Sequence, residues 1–556
     1  MTALTRVLAL LGLLTVAGGA SARVKLIELG WDIPDTAFLR AHWQQMEREA
    51  PFDGLVLRVV ANDDQGRRIG SEGIWQATPW QRDWFSAARD DLRACAFRRF
   101  TSNFIRINAT PTALGWADDA AWSALAGNVG LMAWLAREGG CVGLCFDFEP
   151  YGQNQWQWDA ASGKSFAETA ALARRRGEQV AAAVGKELPR AVLLTLFANS
   201  QNHAAGRAAD PQVLLAKEPY GLLPAFFEGL LAASTPEMTL VDGCEGGYYY
   251  DSVATFQRVA LDMKAWRGPS AALVDPALRP RFRQQVQAGF GIYLDMFINP
   301  EGHTYYRGPL EGSRLRHLTR NLAAARDAAD EYVWVYGEQC RWWSGLAPWR
   351  ETELKDTAGR GRAWEEALPG ITRAIDRVRD LDAAAQAELA AALAAGTARN
   401  LLTNPDFAQG PAAAGAPPAG WAAWQHEKEP TGTFTWDATI GGGSARATYV
   451  TWGCYLQDYE APPGSQHLVR ARCRLTGSGT PALTLRWQTA ARRWTNEGDD
   501  RTFAFRPDAD GWLVTQGVVT VPEGAGRLVV LLDIRGQRDD QSSVWFDDVS
   551  AYRLAD

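Results

Sequence analysis

The sequence predicts an α/β protein in which a (β/α)8 TIM barrel is followed by an all-β jelly-roll sandwich. Three observations carry this reading. Eight short runs rich in apolar and β-branched residues recur in series, many of them separated by Ala- and Arg-rich, helix-like segments, as expected for parallel βα units. No GxGxxG or P-loop signature follows the first run, so nothing supports a nucleotide-binding open sheet built from the same alternation. Past residue 400 the helix-like segments give way to short alternating runs with frequent turns.

Before the first run, Arg6 precedes an apolar stretch from Val7 to Val16 and a small-residue end at Ala20-Ser21-Ala22. That order reads as a signal peptide over 1–22, cleaved after Ala22, with a secreted or periplasmic mature protein. The apolar stretch is too short to span a bilayer, and no later segment offers about twenty uninterrupted apolar residues, so no membrane span is expected. The eight strands are read at 24–31, 53–60, 102–109, 142–149, 191–198, 238–245, 289–298 and 332–338. Helices are expected over 36–49, after Pro34-Asp35, over 165–186, and through 362–396, where Gly396 stops the last one. The barrel then covers 23–398, and the sandwich 399–556.

Composition narrows the partners. The 556 residues carry 57 Lys and Arg against 64 Asp and Glu, a net charge of −7, which gives no basic footprint for nucleic acid. Seven cysteines include Cys141 and Cys145, about 13 Å apart on an extended strand and too far to bridge each other. Cys454 and Cys473 are the expected disulfide. No CxxC pair or His cluster suggests a metal, so no metal or cofactor is expected in the barrel.

In a barrel of this type chemistry gathers at the C-terminal strand ends. The fourth strand ends GLCFDFEPYG, and its period of two puts Asp147 and Glu149 on one face and Phe146 and Phe148 on the other. Like charges so close repel, a cost that is retained where a raised carboxyl pKa supplies a proton near neutral pH. Alternatively the two acids pair with Arg58 and Arg106, which by parity point inward from strands two and three.

Cleaving a glycosidic bond takes a second carboxylate. Glu338 closes strand eight in phase with Trp334 and Tyr336. Glu245 closes strand six before two glycines and three tyrosines, and Asp295 lies on strand seven. Asp242 and Asp251 have weaker claims.

The 24 tryptophans outnumber the 21 phenylalanines and 14 tyrosines. Pyranose C–H faces pack on indole and phenol rings. Trp31, Trp75, Trp80, Trp84, Trp116, Trp156, Trp158, Trp342 and Trp343 fall in or near upper-side loops and become candidate sugar-binding surfaces, each equally able to serve as core. Asn108, Tyr151, Asn199, Tyr250 and His303 are candidate partners for sugar hydroxyls.

The strand-four ending D-x-E resembles the end of the DxxDxDxE motif of chitinase-like glycoside hydrolases, with Val142 and Cys145 at the motif's earlier aspartates. That resemblance implies Glu149 as proton donor and Asp147 as the residue that positions the substrate. A more general resemblance, to retaining barrel glycosidases, implies Glu149 as acid/base and Glu338 or Glu245 as the second carboxylate. A third barrel pattern makes Asp147 the nucleophile and Glu245 the donor.

Residues 400–410 (NLLTNPDFAQG), Gly420-Trp421 and the closing 544–554 (VWFDDVSAYRL) resemble a carbohydrate-binding module of the family 4/9/22 jelly-roll type. Trp452, Tyr455, Trp487 and Trp494 are then candidates for a glycan groove. Trp421 and Trp545 would be core, and Asp547 with Asp548 would be candidate ligands of a structural calcium. The expected function is glycoside hydrolysis on a poly- or oligosaccharide. The alternative is a glycan-binding or scaffold protein with a degenerate barrel. No GxSxG elbow supports a serine esterase.

Overall fold

A computed structural model describes residues 23–109, 111–343, 346, 362–427, 432–508 and 510–554. The predicted signal peptide, 1–22, lies outside the described residues. The chain divides into two compact units, Met1–Arg379 and Asp380–Asp556.

The first unit contains β1 (Lys25–Gly30), β2 (Gly54–Leu57), β3 (Val60–Asn62), β4 (Arg68–Gly70), β5 (Phe104–Asn108), β6 (Gly143–Asp147), β7 (Val192–Thr195), β8 (Thr239–Asp242), β9 (Val286–Ala288), β10 (Phe290–Tyr293) and β11 (Tyr332–Gly337). Nine of these form one sheet in the order β10-β11-β1-β2-β5-β6-β7-β8-β9. Every pairing in it is parallel. The two ends of that order, β9 and β10, are separated in the chain only by Gly289. One segment therefore pairs with β8 through its first half and with β11 through its second, and the sheet curls until it is nearly barrel-shaped.

All eight predicted strands contain a strand of the sheet, but four end three or more residues early, the fifth at Thr195 and the sixth at Asp242 among them. Strand two stops at Leu57, and Val60–Asn62 leaves to form an antiparallel pair with Arg68–Gly70. The seventh stops at Tyr293, because Leu294–Phe297 winds into a 3-10 turn.

Helices form where capping chemistry starts them. Asp35 accepts from the Phe38 N–H at 2.9 Å and opens Thr36–Glu49. Ser165 and Glu168 make a reciprocal capping box at the head of Phe166–Glu187. The expected helix over 362–396 is three helices, Trp364–Ala367, Ile371–Arg379 and Leu381–Ala394. Asp380 caps the last of them through the Ala383 N–H. Its Ala385 and Leu389 pack on Leu468 and Leu554, so it belongs to the C-terminal unit and the boundary lies near 380 rather than 398.

The second unit adds β12 (Ala422–Gln425), β13 (Thr433–Asp437), β14 (Ser444–Thr448), β15 (Trp452–Glu460), β16 (Gln466–Thr476), β17 (Thr480–Gln488), β18 (Arg501–Ala504), β19 (Arg506–Pro507), β20 (Leu513–Thr520), β21 (Arg527–Arg535) and β22 (Ser543–Arg553). They build two antiparallel sheets, β12-β15-β21-β17-β18 and β13-β14-β22-β16-β20-β19. The opening NPDF segment is a structural knot. Asn404 takes a left-handed φ of 49°, its side chain bonds the backbone of Gln409 and Ala419, and its carbonyl accepts the Trp421 indole N–H.

The expected Cys454–Cys473 disulfide is not formed, and all seven cysteines are free and buried. Cys454 lies on β15 in the five-stranded sheet and Cys473 on β16 in the other, so closeness in sequence does not bring them together. Among the described residues no helix is long and apolar enough to cross a membrane.

Candidate functional site

A cleft of about 1030 Å³ opens where the parallel strands end. Glu149, Glu245 and Glu338 all line it, as do Arg106, Tyr151 and Trp31. The local chain explains each position. Trp334, Tyr336 and Glu338 share one face of β11 and its extension through the two-residue period. Trp334 sits at the base, its indole donating to the Gly243 carbonyl at 2.8 Å. A Cβ on Gly243 would stand 2.2 Å from the Thr195 carbonyl and 2.8 Å from the Trp334 indole nitrogen, so only glycine permits this approach.

Asp147 is fully buried behind Glu149. The β5–β6 register sets Asn108 beside it. Its Oδ2 accepts from Arg106 Nη2 at 2.9 Å, Tyr151 Oη at 3.1 Å and Asn108 Nδ2 at 3.3 Å, and its Oδ1 accepts from the Glu149 N–H at 2.9 Å. Arg106 also approaches Glu72 at 3.7 Å and donates to Asn108. Four donors therefore surround a carboxylate that has no exposed surface. Attack by its oxygens would require breaking that shell.

The three glutamates differ in setting. Burial, with the nearby charges of Asp147 and Glu338, holds the Glu149 carboxyl above its ordinary range, against the opposing pull of the Tyr151 hydroxyl and Arg106. Burial foremost, then the charges of Glu149 and Asp147, pushes Glu245 up to about 8. Glu338 is held by a hydroxyl: Tyr336 Oη donates to its Oε1 at 2.9 Å, and the Trp31 indole donates to Tyr336 at 2.8 Å. Asp295 stands underneath, accepting from the N–H groups of Glu338 at 2.8 Å and Gln339 at 3.0 Å. Burial raises its own pKa to about 6.

Tyrosines form the aromatic wall. The rings of Tyr248 and Tyr336 lie within 9° of parallel at 6.1 Å, with Tyr293 at 5.1 Å from the first and 5.3 Å from the second, and Tyr305 continuing at 5.5 Å from Tyr293. Of these, the sequence reading aligns Tyr336 with Glu338 and notes three tyrosines after Glu245, but it names neither Tyr293 nor Tyr305.

Several expected contacts fall outside the cleft. Asn199 is buried and donates to the Ser270 carbonyl at 3.1 Å. Tyr250 turns to Cys244, Phe256 and Phe290, leaving Tyr248 and Tyr249 to face the cleft. Trp342 packs on Phe52 and Trp364. Arg58 approaches Glu72 at 3.8 Å, while Asn108 and Asp295 stand one layer behind the wall. Asp242 accepts from the Ala198 and Ser200 N–H groups, and Asp251 pairs with Arg320 at 2.7 Å, so both acids are structural.

The tryptophan expectation is also corrected. Trp75, Trp80, Trp156 and Trp343 are buried core, and Trp84, Trp116 and Trp158 pack against that core. Trp31 remains in the cleft, as does His303, whose Nδ1 accepts from the Tyr305 N–H.

In the C-terminal unit Tyr455 and Trp487 are core, whereas Trp452 and Trp494 are 38% and 48% exposed. The guanidinium of Arg535 lies over Trp452 and that of Arg486 over Trp494, at 5.0 and 4.5 Å. Trp421 is core as expected. Trp545 is only half-buried, its indole donating to Asp437. Asp547 and Asp548 each lie 2.7 Å from Arg472 Nη2, so a guanidinium bridges the suggested calcium pair. Among the described residues no group of three or more His, Cys, Asp or Glu is arranged to hold a metal.

No family model and no curated protein matches the chain. Solved structures give partial likenesses. A CBM4 module is 17% identical over 28% of this chain and 99% of its own, with a TM-score of 0.21. The CBM22-1–GH10 modules of an endo-1,4-β-D-xylanase from Clostridium thermocellum are 12% identical over 28% of each chain, with a TM-score of 0.19. An α-L-arabinofuranosidase of the GH51 type is 15% identical over 28% of this chain and 26% of its own, with a TM-score of 0.21.

Proposed function

We propose that the protein is a secreted or periplasmic glycoside hydrolase whose catalytic unit is a (β/α)8 barrel acting on a poly- or oligosaccharide. The observation that carries this reading is that Glu149 and Glu338 open onto one tyrosine-walled cleft with Asp147 locked behind the first. Glycoside hydrolysis needs a carboxylic acid to protonate the leaving oxygen and a carboxylate opposite, as nucleophile or as base for water.

Glu149, whose carboxyl is held above the ordinary range chiefly by burial, serves as general acid. Glu338, hydrogen-bonded by Tyr336, serves as the second carboxylate. Asp147 orients Glu149 through its N–H and through Tyr151. The tyrosine faces stack against pyranose rings, and Gln201 and Gln339 offer amide groups to hydroxyls. In the C-terminal sandwich the half-exposed Trp494 is the better candidate for holding glycan, since the Trp452 ring is already stacked on His426 at 4.6 Å and covered by Arg535 at 5.0 Å.

The test is a panel of poly- and oligosaccharides assayed for new reducing ends. The unmodified protein should cleave at least one. On that substrate Glu149→Gln and Glu338→Gln should each lower kcat by about 10²- to 10⁴-fold while retaining binding. Unchanged turnover in either variant refutes the assignment of that residue.

A further inference from the structure

Charge in the cleft is unbalanced. Among its described lining residues the ionisable groups other than tyrosine and His303 are Glu149, Glu245, Glu338 and Arg106, with no lysine. The guanidinium of Arg106 is already committed to Asp147 at 2.9 Å and Glu72 at 3.7 Å. Among the described residues, three carboxyl groups therefore line the cavity with no lysine and no uncommitted arginine to match them. Glycoside hydrolysis uses two. The third, Glu245, lies at the head of the 3-10 turn Glu245–Tyr249, which also delivers Tyr248 and Tyr249 to the wall.

We propose that the cleft receives a glycan carrying unacetylated amino groups, whose ammonium pairs with Glu245 while its rings stack on the tyrosine wall. The inference rests on the glycosidase reading and names its substrate class. Uronates and sulfated sugars meet like charge in this cleft. An acetamido sugar would leave Glu245 with no cation to offset its burial. An ammonium would match these carboxyl groups, and phenol faces add cation–π attraction to it. A simple polyamine would satisfy the carboxylates, but it would leave the stacking faces and the amides of Gln201 and Gln339 unused. Burial, then the charges of Glu149 and Asp147, raises the Glu245 pKa, and an ammonium paired with it would act in the opposite direction.

The experiment uses the full chain with Glu149→Gln to block turnover. Calorimetric titration compares β-1,4-linked glucosamine tetramer with its fully N-acetylated counterpart, and glucosamine with N-acetylglucosamine, near neutral pH. The free amine should bind at least tenfold more tightly. That preference should shrink in high salt, because part of it is a screened charge pair, and should disappear when Glu245→Gln is added. Equal or tighter binding of the acetylated ligands, or no binding of either, overturns the inference. The salt series needs no second substitution and keeps the test valid if the double variant folds poorly. Hydrolysis by the unmodified chain separates the two readings. Cleavage of a neutral glycan without amine preference removes only this inference, whereas amine-selective binding without any cleavage removes only the glycosidase.

Discussion

Replacing Asp147 by alanine tests the arrangement behind Glu149. Asp147 has no exposed side-chain surface and the Arg106 side chain is only 15% exposed, so this is a buried ion pair. Deleting one partner of such a pair typically costs about 3–5 kcal/mol, because the other charge stays buried without compensation. Glu72 remains 3.7 Å from Arg106 Nη1, so the lower end, about 3 kcal/mol, is expected. That corresponds to about two orders of magnitude in the folding equilibrium. Urea denaturation followed by near-UV circular dichroism measures it. The decisive comparison is the double variant Asp147→Ala/Arg106→Met, which removes both charges and should recover most of the loss. A single variant within about 1 kcal/mol of the parent, or a double variant whose losses simply add, would show that the pair is not the buried, coupled unit described.

Glu245 titrates near 8 when folded, above its ordinary carboxyl value, so between those values the folded state binds more protons than the unfolded state and stability falls as pH rises. Glu245→Gln should flatten that decline, read as thermal midpoints at pH 6 and pH 9. Tyr336→Phe removes the hydroxyl that donates to Glu338 and accepts from Trp31. A hydrogen bond to a charged group is worth about 1.5–3 kcal/mol, so kcat/KM on whichever glycan is cleaved should drop about 10- to 100-fold with little change in fold. Thiol titration should find seven reactive cysteines only after unfolding, since all seven are free and buried. Fewer than seven in denaturant would reveal a disulfide.

Much of this site is readable because the period of two runs slightly past the strand ends. It carries from the buried Asp147, the last residue of β6, to Glu149 at the cleft, and one residue past β11 it aligns Glu338 with Trp334 and Tyr336. The same extrapolation failed beyond Asp242. There Cys244 adopts a left-handed φ of 38° and the next five residues wind into a 3-10 turn, which sends Tyr248 rather than Tyr250 to the cleft. Proximity in sequence to an apparent loop did not separate surface indoles from core. Trp75, Trp122, Trp156 and Phe226 interlock as one aromatic block, a tertiary fact that composition cannot express. The environment that raises Glu245 combines burial with charges brought from β6, residues almost a hundred positions earlier in the chain.

The helix Leu381–Ala394 bears on how the chain should be cut into pieces for expression. A fragment beginning at 399, where the sequence changes character, would bare Leu468 and Leu554 and would strand Ala385 and Leu389 on the other half. Apolar patches exposed in that way invite aggregation. Starting the C-terminal fragment at Asp380 keeps the helix with its seat and its cap, and makes soluble production of that half a fair trial of its autonomy.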